Sequence, residues 1–343
     1  NCITIAVVWF GAKGIAAGQM QVGDMMAFIT YAMVIVMSFL LLTMMSIMLP
    51  RAGVAAERIQ EVLCTKSSIE DAKTVADDTM GQIRGELAFH DVCFAYPNAK
   101  SNVLDHLDFV AEPGKTTAII GSTGCGKSTL LQLIPRLYDV TEGSITLDGI
   151  DIRKYNRTAF YRLFSAVFQQ FSILPVTIAE IVSETTPENI DYNKVKRCLI
   201  VAGLWNKIDQ LTNGVNSQFG KTIYDDGVEF SGGEIQKLLL ARAMYKNAPV
   251  MLLDEPTAAL DPIAENTLYG NYNQISFQKT TVFVSHRLAS TSFCDRIILI
   301  ENGKICEEGS HNELLKQNGT YRMLFETQAK YYKNNLDKTE VAE

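Results

Sequence analysis

The sequence is poor in the residues that build metal centres and disulfide frameworks. Its 343 residues include seven cysteines and four histidines, with no C-x-x-C pair and no local Cys/His cluster. An odd number of scattered cysteines fits reduced thiols in a cytosolic compartment, and it excludes a disulfide framework or a zinc site made from Cys and His alone. Apolar residues make up 47% and charged residues 20% of the chain, which excludes a disordered or fibrous protein.

The chain also has fewer basic than acidic side chains, 31 against 38. The formal net charge is −7, which argues against a general nucleic-acid-binding protein. The charges are unevenly distributed, because residues 1–60 contain only five charged side chains. The length is that of about two domains. The sequence therefore predicts an apolar N-terminal part followed by a soluble, acidic domain.

An uncharged run of 26 residues, Met25–Pro50, predicts a membrane-spanning helix. As a helix it is about 39 Å long, against about 30 Å for the hydrocarbon core of a bilayer. The alternative is a helix buried in a large soluble core, but such helices rarely have so long an uncharged run. Arg51 and Arg58 follow the run directly, which by the positive-inside tendency puts the acidic domain in the cytosol.

The residues before this run have a different pattern. Asn1–Ala12 is apolar but too short to span a bilayer, and it lacks the basic region of a signal peptide. We interpret it as the end of another spanning helix, with Gly14–Asp24 as a short turn. We therefore expect the chain to be a fragment of a longer protein.

A glycine-rich motif between a strand pattern and a helix pattern predicts a phosphate site. An apolar, β-branched run precedes Gly121-x4-Gly126-Lys127-Ser128, and leucines at helical spacing follow it. Backbone N–H groups and the helix N-terminus bind phosphate oxygens, while Lys127 adds charge across the β- and γ-phosphates and Ser128 ligates Mg²⁺. The predicted nucleotide-binding residues of this loop are Gly121, Ser122, Thr123, Gly124, Cys125, Gly126, Lys127, Ser128 and Thr129.

A second apolar run, Val250–Leu253, ends in the carboxylates Asp254 and Glu255. Such a run is typical of a central parallel strand covered on both faces, and ligands bind at the carboxyl ends of these strands. We predict that Asp254 holds Mg²⁺ and that Glu255 polarises the attacking water. The alternative is a strand that merely ends in an acidic turn, and the P-loop upstream argues against it.

A Ser-Gly-Gly turn before a long helical pattern predicts a second anion site. It consists of Ser231, Gly232 and Gly233, with Glu234 next in sequence, and the helix N-terminus is the anion-binding element. Two anion sites for one nucleotide suggest that the two meet across a dimer interface.

Together these motifs, with His286 in a Val-Ser-His-Arg frame, resemble those of an ATP-binding cassette (ABC) ATPase. With a spanning helix before it, the chain from Gly11 to about Lys330 is similar to the C-terminal part of an ABC exporter half-transporter. The resemblance implies an α/β P-loop NTPase fold, an ABC ATPase core with an antiparallel β subdomain and a helical subdomain (Val176–Phe230), preceded by an all-α transmembrane segment. The implied divisions are 1–60 for the C-terminal part of the transmembrane domain (with a spanning helix at about 25–50), 61–80 for a linker, 81–330 for the cassette and 331–343 for a polar tail.

The resemblance also assigns roles to several residues whose function the local sequence pattern does not decide. Tyr96 matches the aromatic residue that stacks on adenine, although a tyrosine packed in the core at a strand end has the same pattern. Gln169 matches the Q-loop glutamine, a Mg²⁺ contact beside the docking place of the transmembrane coupling helix, with Gln170 as the adjacent alternative. Asp261 lies in the D-loop, and His286 matches the switch histidine that contacts the γ-phosphate.

Some positions depart from the family pattern. Phe230 and Glu234 replace the first and last residues of the Leu-Ser-Gly-Gly-Gln signature. The carboxylate of Glu234 puts in doubt the polar contact that glutamine makes there with the partner's nucleotide. The Asp-Asp-Gly stretch at 225–227 also differs from the commoner Gly-Glu-x-Gly. Glu255 and His286 are both present, as a hydrolysing site requires.

The resemblance implies an ATPase that uses ATP and Mg²⁺ and couples hydrolysis in a dimeric nucleotide sandwich to export of a drug, lipid or peptide. The implied partners are a second half-transporter, in a homodimer or a heterodimer, and membrane lipid, with no nucleic acid. The expected location is the cell membrane, multi-pass, with the ATPase domain in the cytoplasm. The alternatives are an ATP-gated regulator or channel and an importer with an exporter-like fold.

Overall fold

The computed structural model describes residues 2–67, 69–70, 83–169, 171–256, 276 and 278–329. The chain divides into two compact units, Asn1–Ser68 and Ile69–Glu343. The described part of the first unit is helical, and that of the second combines two β-sheets with helices.

The first unit contains the helices α1 (Cys2–Ala16) and α2 (Val22–Cys64). Among the described residues, α2 is the one helix long and apolar enough to cross a membrane, judged by length and composition. The Asp24 carboxylate accepts a hydrogen bond from the Gln21 N–H at 3.1 Å in its first turn, where negative charge favours a helix. The helix continues through Pro50, because the alanine, glutamate and arginine residues beyond it are strong helix formers.

The second unit contains a four-stranded and a six-stranded sheet. The described strands are β1 (Leu87–Phe94), β2 (Leu104–Ala111), β3 (Thr116–Gly121), β4 (Glu142–Leu147), β5 (Ile150–Asp151), β6 (Phe164–Val167), β7 (Val250–Asp254), β8 (Thr280–Val284), β9 (Arg296–Glu301) and β10 (Lys304–Gly309). The smaller sheet is antiparallel with the order β2-β1-β4-β5, and the larger has the order β10-β9-β3-β8-β7-β6. In the larger sheet all strands are parallel except β10, which pairs antiparallel with β9.

Helices cover the larger sheet and form a separate layer beside it. The described helices of this unit are α3 (Lys127–Leu133), α4 (Arg157–Tyr161), α5 (Ile178–Ser183), α6 (Tyr192–Val201), α7 (Trp205–Asp209), α8 (Gly232–Lys246), the short helix His311–Gln317 and a helix over residues 320–329. A 3₁₀ helix spans Leu288–Phe293. Parallel strands alternating with helices are the α/β arrangement that the motifs predict.

The central strands are buried on both faces. In β7, Val250 and Leu252 pack in the core that the antiparallel sheet and α3 share with one face of the parallel sheet. Met251 and Leu253 pack on the opposite face, against α8 and the 320–329 helix. All four side chains are fully buried. A continuous apolar run, without alternation, is what a strand covered on both sides requires.

Between β6 and α8 the chain forms a third hydrophobic cluster. The helices α5, α6 and α7 pack there against Leu238 and Ala241 of α8. Thr177 and Glu180 begin α5 by capping each other: the Thr177 N–H donates to the Glu180 carboxylate at 2.9 Å, and the Glu180 N–H donates to the Thr177 hydroxyl at 3.3 Å. These helices lie within 176–230, where the resemblance implies a helical subdomain.

The register of the parallel strands brings several loops to one edge of the sheet. Asp254 at the end of β7 pairs with Val284 at the end of β8. Gly121 at the end of β3 pairs with Ile300 of β9. Because parallel strands have their carboxyl ends at the same edge, the loops that follow β3, β7 and β8 begin side by side.

Leu252→Ala tests the packing of this central sheet. Leu252 is fully buried in the core that the two sheets share, so its truncation leaves a cavity, and we expect a loss of about 2–5 kcal/mol in the free energy of unfolding. Ile223→Ala, at a residue that is 63% exposed, is the matched control and should change stability by less than about 0.5 kcal/mol. Urea denaturation followed by tryptophan fluorescence measures both. Equal effects of the two substitutions would contradict this account of the core.

Candidate functional site

The loop between β3 and α3 turns tightly against neighbouring backbone. Gly121 has φ of +150°, and a Cβ atom there would lie 2.1 Å from the Ile300 carbonyl oxygen. Gly126 has φ of +105°, a conformation that side-chain-bearing residues rarely adopt. Residues 122–124 are exposed at the tip, directly before the first turn of α3. A tight glycine loop that opens into a helix is the geometry of a phosphate-binding site.

The Lys127 ammonium lies inside this loop. The residue is 5% exposed, and its Nζ donates to the carbonyl oxygens of Gly121 at 3.0 Å and Ser122 at 2.8 Å. The Sγ of Cys125, also buried, lies 3.7 Å from the same nitrogen. The positive charge is therefore held at the centre of the loop, where it can meet a phosphate group.

The Ser128 hydroxyl and the Asp254 carboxylate meet where β7 ends. The Ser128 hydroxyl is close enough to favour the ionised form of this carboxyl, and Asp254 is only 5% exposed. Its Oδ1 is buried without a hydrogen-bond partner among the described residues. Burial raises the pKa of Asp254, and the nearby Glu255 charge adds to this, while the Ser128 hydroxyl and the Lys127 charge act in the opposite direction.

Ser128 and Asp254 fit a Mg²⁺ ion. Mg²⁺ binds carboxylate and hydroxyl oxygens and keeps several waters, and such an ion would satisfy the lone Oδ1. Gln169 follows β6, in which Val167 pairs in register with Leu253 of β7. The backbone of this exposed glutamine therefore continues toward the sheet edge at which Asp254 lies.

The Glu255 carboxylate contacts the imidazole of His286. The distance between Oε1 and Nε2 is 2.8 Å. Glu255 has φ of +49° and its N–H donates to the Val284 carbonyl at 3.0 Å, a left-handed conformation that costs about 1–3 kcal/mol for a residue other than glycine. Burial and then the Lys127 charge lower the pKa of His286, against the opposing effect of Glu255. A neutral imidazole donates its Nε2–H to the carboxylate.

Tyr96 is tied to the helix that follows the P-loop. Its hydroxyl lies 3.0 Å from Thr129 Oγ1 and 3.4 Å from Gln132 Oε1. Its ring packs edge-on against Phe94 and Tyr138, with centroid distances of 5.0 and 5.4 Å. The residue is half-buried. The Tyr96 ring thus packs partly in the core, as expected for a tyrosine at a strand end. Adenine stacking on its remaining exposed surface stays a prediction.

Ser231, Gly232, Gly233 and Glu234 form the N-terminus of α8. The Ser231 N–H donates to Glu234 Oε2 at 2.8 Å, and the Glu234 N–H donates to Ser231 Oγ at 3.4 Å, which is a capping box. Burial raises the pKa of Glu234, but hydrogen bonds from Ser231 and the nearby Lys207 lower it overall. Within the described part of the chain, no hydrogen bond or ion pair joins this group to the P-loop.

Two predicted residues lie outside the described part of the chain, and one contact of the site was not predicted. Asp261 of the D-loop and Gln170 lie outside the described residues. Sequence reasoning missed Gln236, whose Nε2 donates to the Glu255 carbonyl at 3.4 Å. A glutamine on an amphipathic helix carries no signal of such a role, because only the packing of α8 beside β7 brings it there.

The fold also brings Cys93, Asp105 and His106 together, with their potential metal-binding atoms within 4.8 Å of one another. The sequence shows no such cluster because these residues lie on two strands. Lys304 Nζ is 3.1 Å from Asp105 Oδ2, and Asp91 Oδ1 is 2.6 Å from His106 Nδ1. These partners satisfy both polar groups, so we assign no metal ion to this cluster.

Known proteins match most of the chain. A family model described as ABC transporter matches residues 104–258. The chain is 35% identical over 323 residues to an uncharacterized ABC transporter ATP-binding protein of Mycobacterium bovis, covering 94% of this chain and 54% of that protein. It is 33% identical over 313 residues to an ATP-dependent lipid A-core flippase of Methylobacillus flagellatus, covering 91% of this chain and 52% of the flippase.

A solved structure supports the same relationship. It is described as a bacterial Atm1-family ABC exporter with ATP bound, and it matches with a TM-score of 0.76 and 26% identity over 95% of this chain and 56% of that chain. This chain spans about half the length of the curated relatives it matches. These similarities confirm the predicted fold class, a P-loop ATPase preceded by a long apolar helix.

Asp254→Asn should stabilise the protein in Mg²⁺-free buffer. Because burial raises the pKa of Asp254, the fold disfavours its charged form, and an amide removes that cost at pH 7. We expect the melting temperature to rise by about 2–4 °C. Differential scanning fluorimetry measures the change, and Asp226→Asn, at an exposed carboxylate, is the matched control.

The same carboxyl should contribute to the pH dependence of stability. A raised pKa in the folded state stabilises the fold at low pH, and this contribution is lost as the pH rises through the folded pKa. The Asp254→Asn protein should lack this contribution to the pH dependence of its stability. It should also lose the stabilisation that added Mg²⁺ produces. A lower melting temperature than that of the unmodified chain without Mg²⁺ would contradict the assignment.

Proposed function

The chain belongs to the ABC transporter superfamily, and we propose that it is the ATP-binding and ATP-hydrolysing part of an ABC exporter half-transporter. One observation carries the proposal: Ser128, Asp254, Glu255 and His286 converge at one edge of the parallel sheet, beside the loop that holds Lys127. Phosphoryl transfer needs a phosphate cradle, a metal-binding carboxylate and a group that orients water. This edge supplies all three.

The P-loop binds the phosphates of ATP. Residues 121–129 wrap around the β-phosphate, and Lys127 exchanges its carbonyl partners for β- and γ-phosphate oxygens without leaving the loop. Tyr96 stacks on adenine, a contact worth about 1–3 kcal/mol in nucleic-acid systems. Ser128, Asp254 and Gln169 would hold Mg²⁺, which neutralises phosphate charge when bound.

Glu255 and His286 carry the hydrolytic chemistry. Glu255 orients a water molecule and accepts its proton as the water oxygen bonds to the γ-phosphorus and the bond to the ADP oxygen breaks. His286 contacts the γ-phosphate. The 2.8 Å contact between the two side chains supports this assignment, because it brings the base and the phosphate-binding imidazole to one place.

A second subunit completes the nucleotide site. Ser231, Gly232 and Gly233 have no bond to the P-loop of their own chain within the described residues, which supports a sandwich with ATP between the P-loop of one protomer and the signature of the other. Glu234 is occupied as a cap of α8, with Lys207 3.4 Å away. This substitution therefore preserves the helix N-terminus that binds the partner's nucleotide.

The exporter assignment rests on the relatives and on α2. Proteins described as a lipid A-core flippase and as an Atm1-family exporter match more than 90% of the chain. The substrate class is a drug, lipid or peptide, and the flippase relative favours lipid. The whole transporter would be a multi-pass protein of the cell membrane with its ATPase domain in the cytoplasm.

A groove formed in part by residues that follow Gln169 in the chain supports coupling to the membrane domain. It has a volume of about 490 Å³, is lined by Ile173, Leu174 and Val176 among others, and leaves Leu174 71% exposed. The resemblance puts the coupling helix of the transmembrane domain at this place. Movements of bound nucleotide at Gln169 would reach the membrane through that contact.

Glu255→Gln should reduce ATP turnover by about 10²–10⁴-fold while leaving ATP binding intact, because an amide cannot accept the proton of the attacking water. Phosphate release by the full chain in lipid nanodiscs measures turnover, and the ATP-induced rise in melting temperature measures binding. Glu188→Gln, at an exposed carboxylate away from the site, is the matched control. Unchanged turnover in Glu255→Gln would remove Glu255 from this role.

Light scattering of the Glu255→Gln chain in detergent tests the dimer. A change from monomer to dimer on addition of ATP and Mg²⁺ is expected if one chain supplies both the P-loop and a competent signature. Adding Ser231→Arg should block this dimer without preventing ATP binding, because it obstructs the contact with the partner's nucleotide and leaves the P-loop of its own chain unchanged. A persistent monomer that binds ATP would mean that a different subunit supplies the opposite signature.

A further inference from the structure

The amide of Gln328, on the 320–329 helix, binds the loop that carries His286. Its Nε2 donates to the His286 carbonyl at 2.8 Å, and its Oε1 accepts from the Leu288 N–H at 2.9 Å. The two bonds bracket Arg287. A carboxamide offers one donor and one acceptor at fixed spacing, so it can hold both backbone groups at once.

The same loop is also fixed from within by two buried serines. Ser285 Oγ accepts from the Arg287 N–H at 2.9 Å, and Ser290 Oγ lies 2.9 Å from Ser285 Oγ. These hydroxyls hold Arg287, whereas Gln328 holds the residues on either side of it. The main chain of the loop is therefore fixed at three consecutive residues by side chains.

The 320–329 helix is anchored at a second point. Tyr321 is fully buried, and its hydroxyl lies 2.8 Å from Thr291 Oγ1 and 2.6 Å from His311 Nδ1. Thr291 belongs to the 3₁₀ helix Leu288–Phe293, which follows the loop. Positions 321 and 328 are two helical turns apart and share one face. The helix thus bridges both ends of the segment from 286 to 291.

The position of the His286 ring depends on its backbone. The side chain is 39% exposed and its Nε2 lies 2.8 Å from the Glu255 carboxylate, and the placement of the main chain is one of the constraints on that contact. Displacing a group at a catalytic site by about 1 Å can cost about 10²-fold in rate. A side chain that holds the His286 carbonyl in place therefore also affects the position of the His286 imidazole.

We propose that Gln328 is a positioning residue for ATP hydrolysis, which holds the main chain of His286 so that the imidazole meets Glu255 and the γ-phosphate. The inference rests on the proposed function of the chain. Gln328 touches no reacting group, since both of its bonds go to backbone atoms. It links the 320–329 helix to the nucleotide site through one residue.

Gln328→Ala in the full chain removes both bonds. We expect kcat for ATP to fall about tenfold and the KM for ATP to change less than about twofold, because a displaced catalytic group lowers rate more than nucleotide binding. Gln328→Glu keeps the acceptor for Leu288 but loses the donor to His286, and a smaller loss is expected. Thr327→Ala is the matched control, since that hydroxyl bonds to the Met323 carbonyl of its own helix, and it should retain the parent kcat.

The His286→Ala background separates positioning from a general structural role. If Gln328 acts through the imidazole, adding Gln328→Ala to His286→Ala lowers kcat no further. A second tenfold loss in that background would overturn the proposal. Parent-level kcat in Gln328→Ala alone would overturn it as well.

Amide hydrogen exchange at Leu288 reports on the contact without turnover. Loss of the bond to Gln328 should speed this exchange about fivefold or more, with exchange in β3 unchanged. Unaltered exchange in Gln328→Ala would overturn the proposal. If the unmodified chain hydrolyses ATP and Glu255→Gln does not, while Gln328→Ala behaves as the parent, this inference fails alone. Absence of turnover in the unmodified chain would instead count against the proposed function and, with it, against this inference.

Discussion

The burial of β7 on both faces is the constraint on which the rest of the site depends. Four apolar side chains hold the strand between two cores, so the next residue, Asp254, enters the site with a 5% exposed carboxylate. Burial raises its pKa, and one of its oxygens has no hydrogen-bond partner among the described residues, which fits the proposed role as a cation ligand. Glu255 then departs from the strand in a left-handed conformation that turns its carboxylate toward His286. The sheet thus supplies stability and, at its edge, reactive groups at the cost of local strain.

The two proposed phosphate-binding elements, the P-loop and the N-terminus of α8, differ in how their polar groups are satisfied. The P-loop holds its own lysine through loop carbonyls and lies beside Asp254, the carboxylate proposed to bind Mg²⁺. The signature at α8 satisfies itself through the capping box between Ser231 and Glu234, with Lys207 balancing the extra charge. The P-loop therefore makes its contacts within its own chain, whereas the signature presents a capped helix N-terminus to the solvent. This division explains how a glutamate can occupy the last position of the signature without disturbing the helix.

The loop after β8 is held by residues from the periphery of the domain. The His286 carbonyl accepts a hydrogen bond from Gln328, the Arg287 N–H donates to Ser285, and Thr291 further along the segment meets the buried Tyr321. Among the described residues, no hydrogen bond joins these side chains to the P-loop, Asp254 or Glu255. A rigid backbone helps to orient a side chain, because each hydrogen bond to the main chain reduces its conformational freedom.

The sequence by itself determined the elements whose signals are local. The glycine spacing at 121–126, the apolar run before Asp254 and the uncharged span of α2 each define one element, since the conformation they require is encoded within a few turns. Only the tertiary structure decided which distant residues meet. The contact of Glu255 with His286 depends on the register of β7 against β8, and the bonds of Gln328 depend on how the 320–329 helix packs. Such contacts leave no periodic pattern, because side chains far apart in the chain become neighbours only after the strands pair and the cores close.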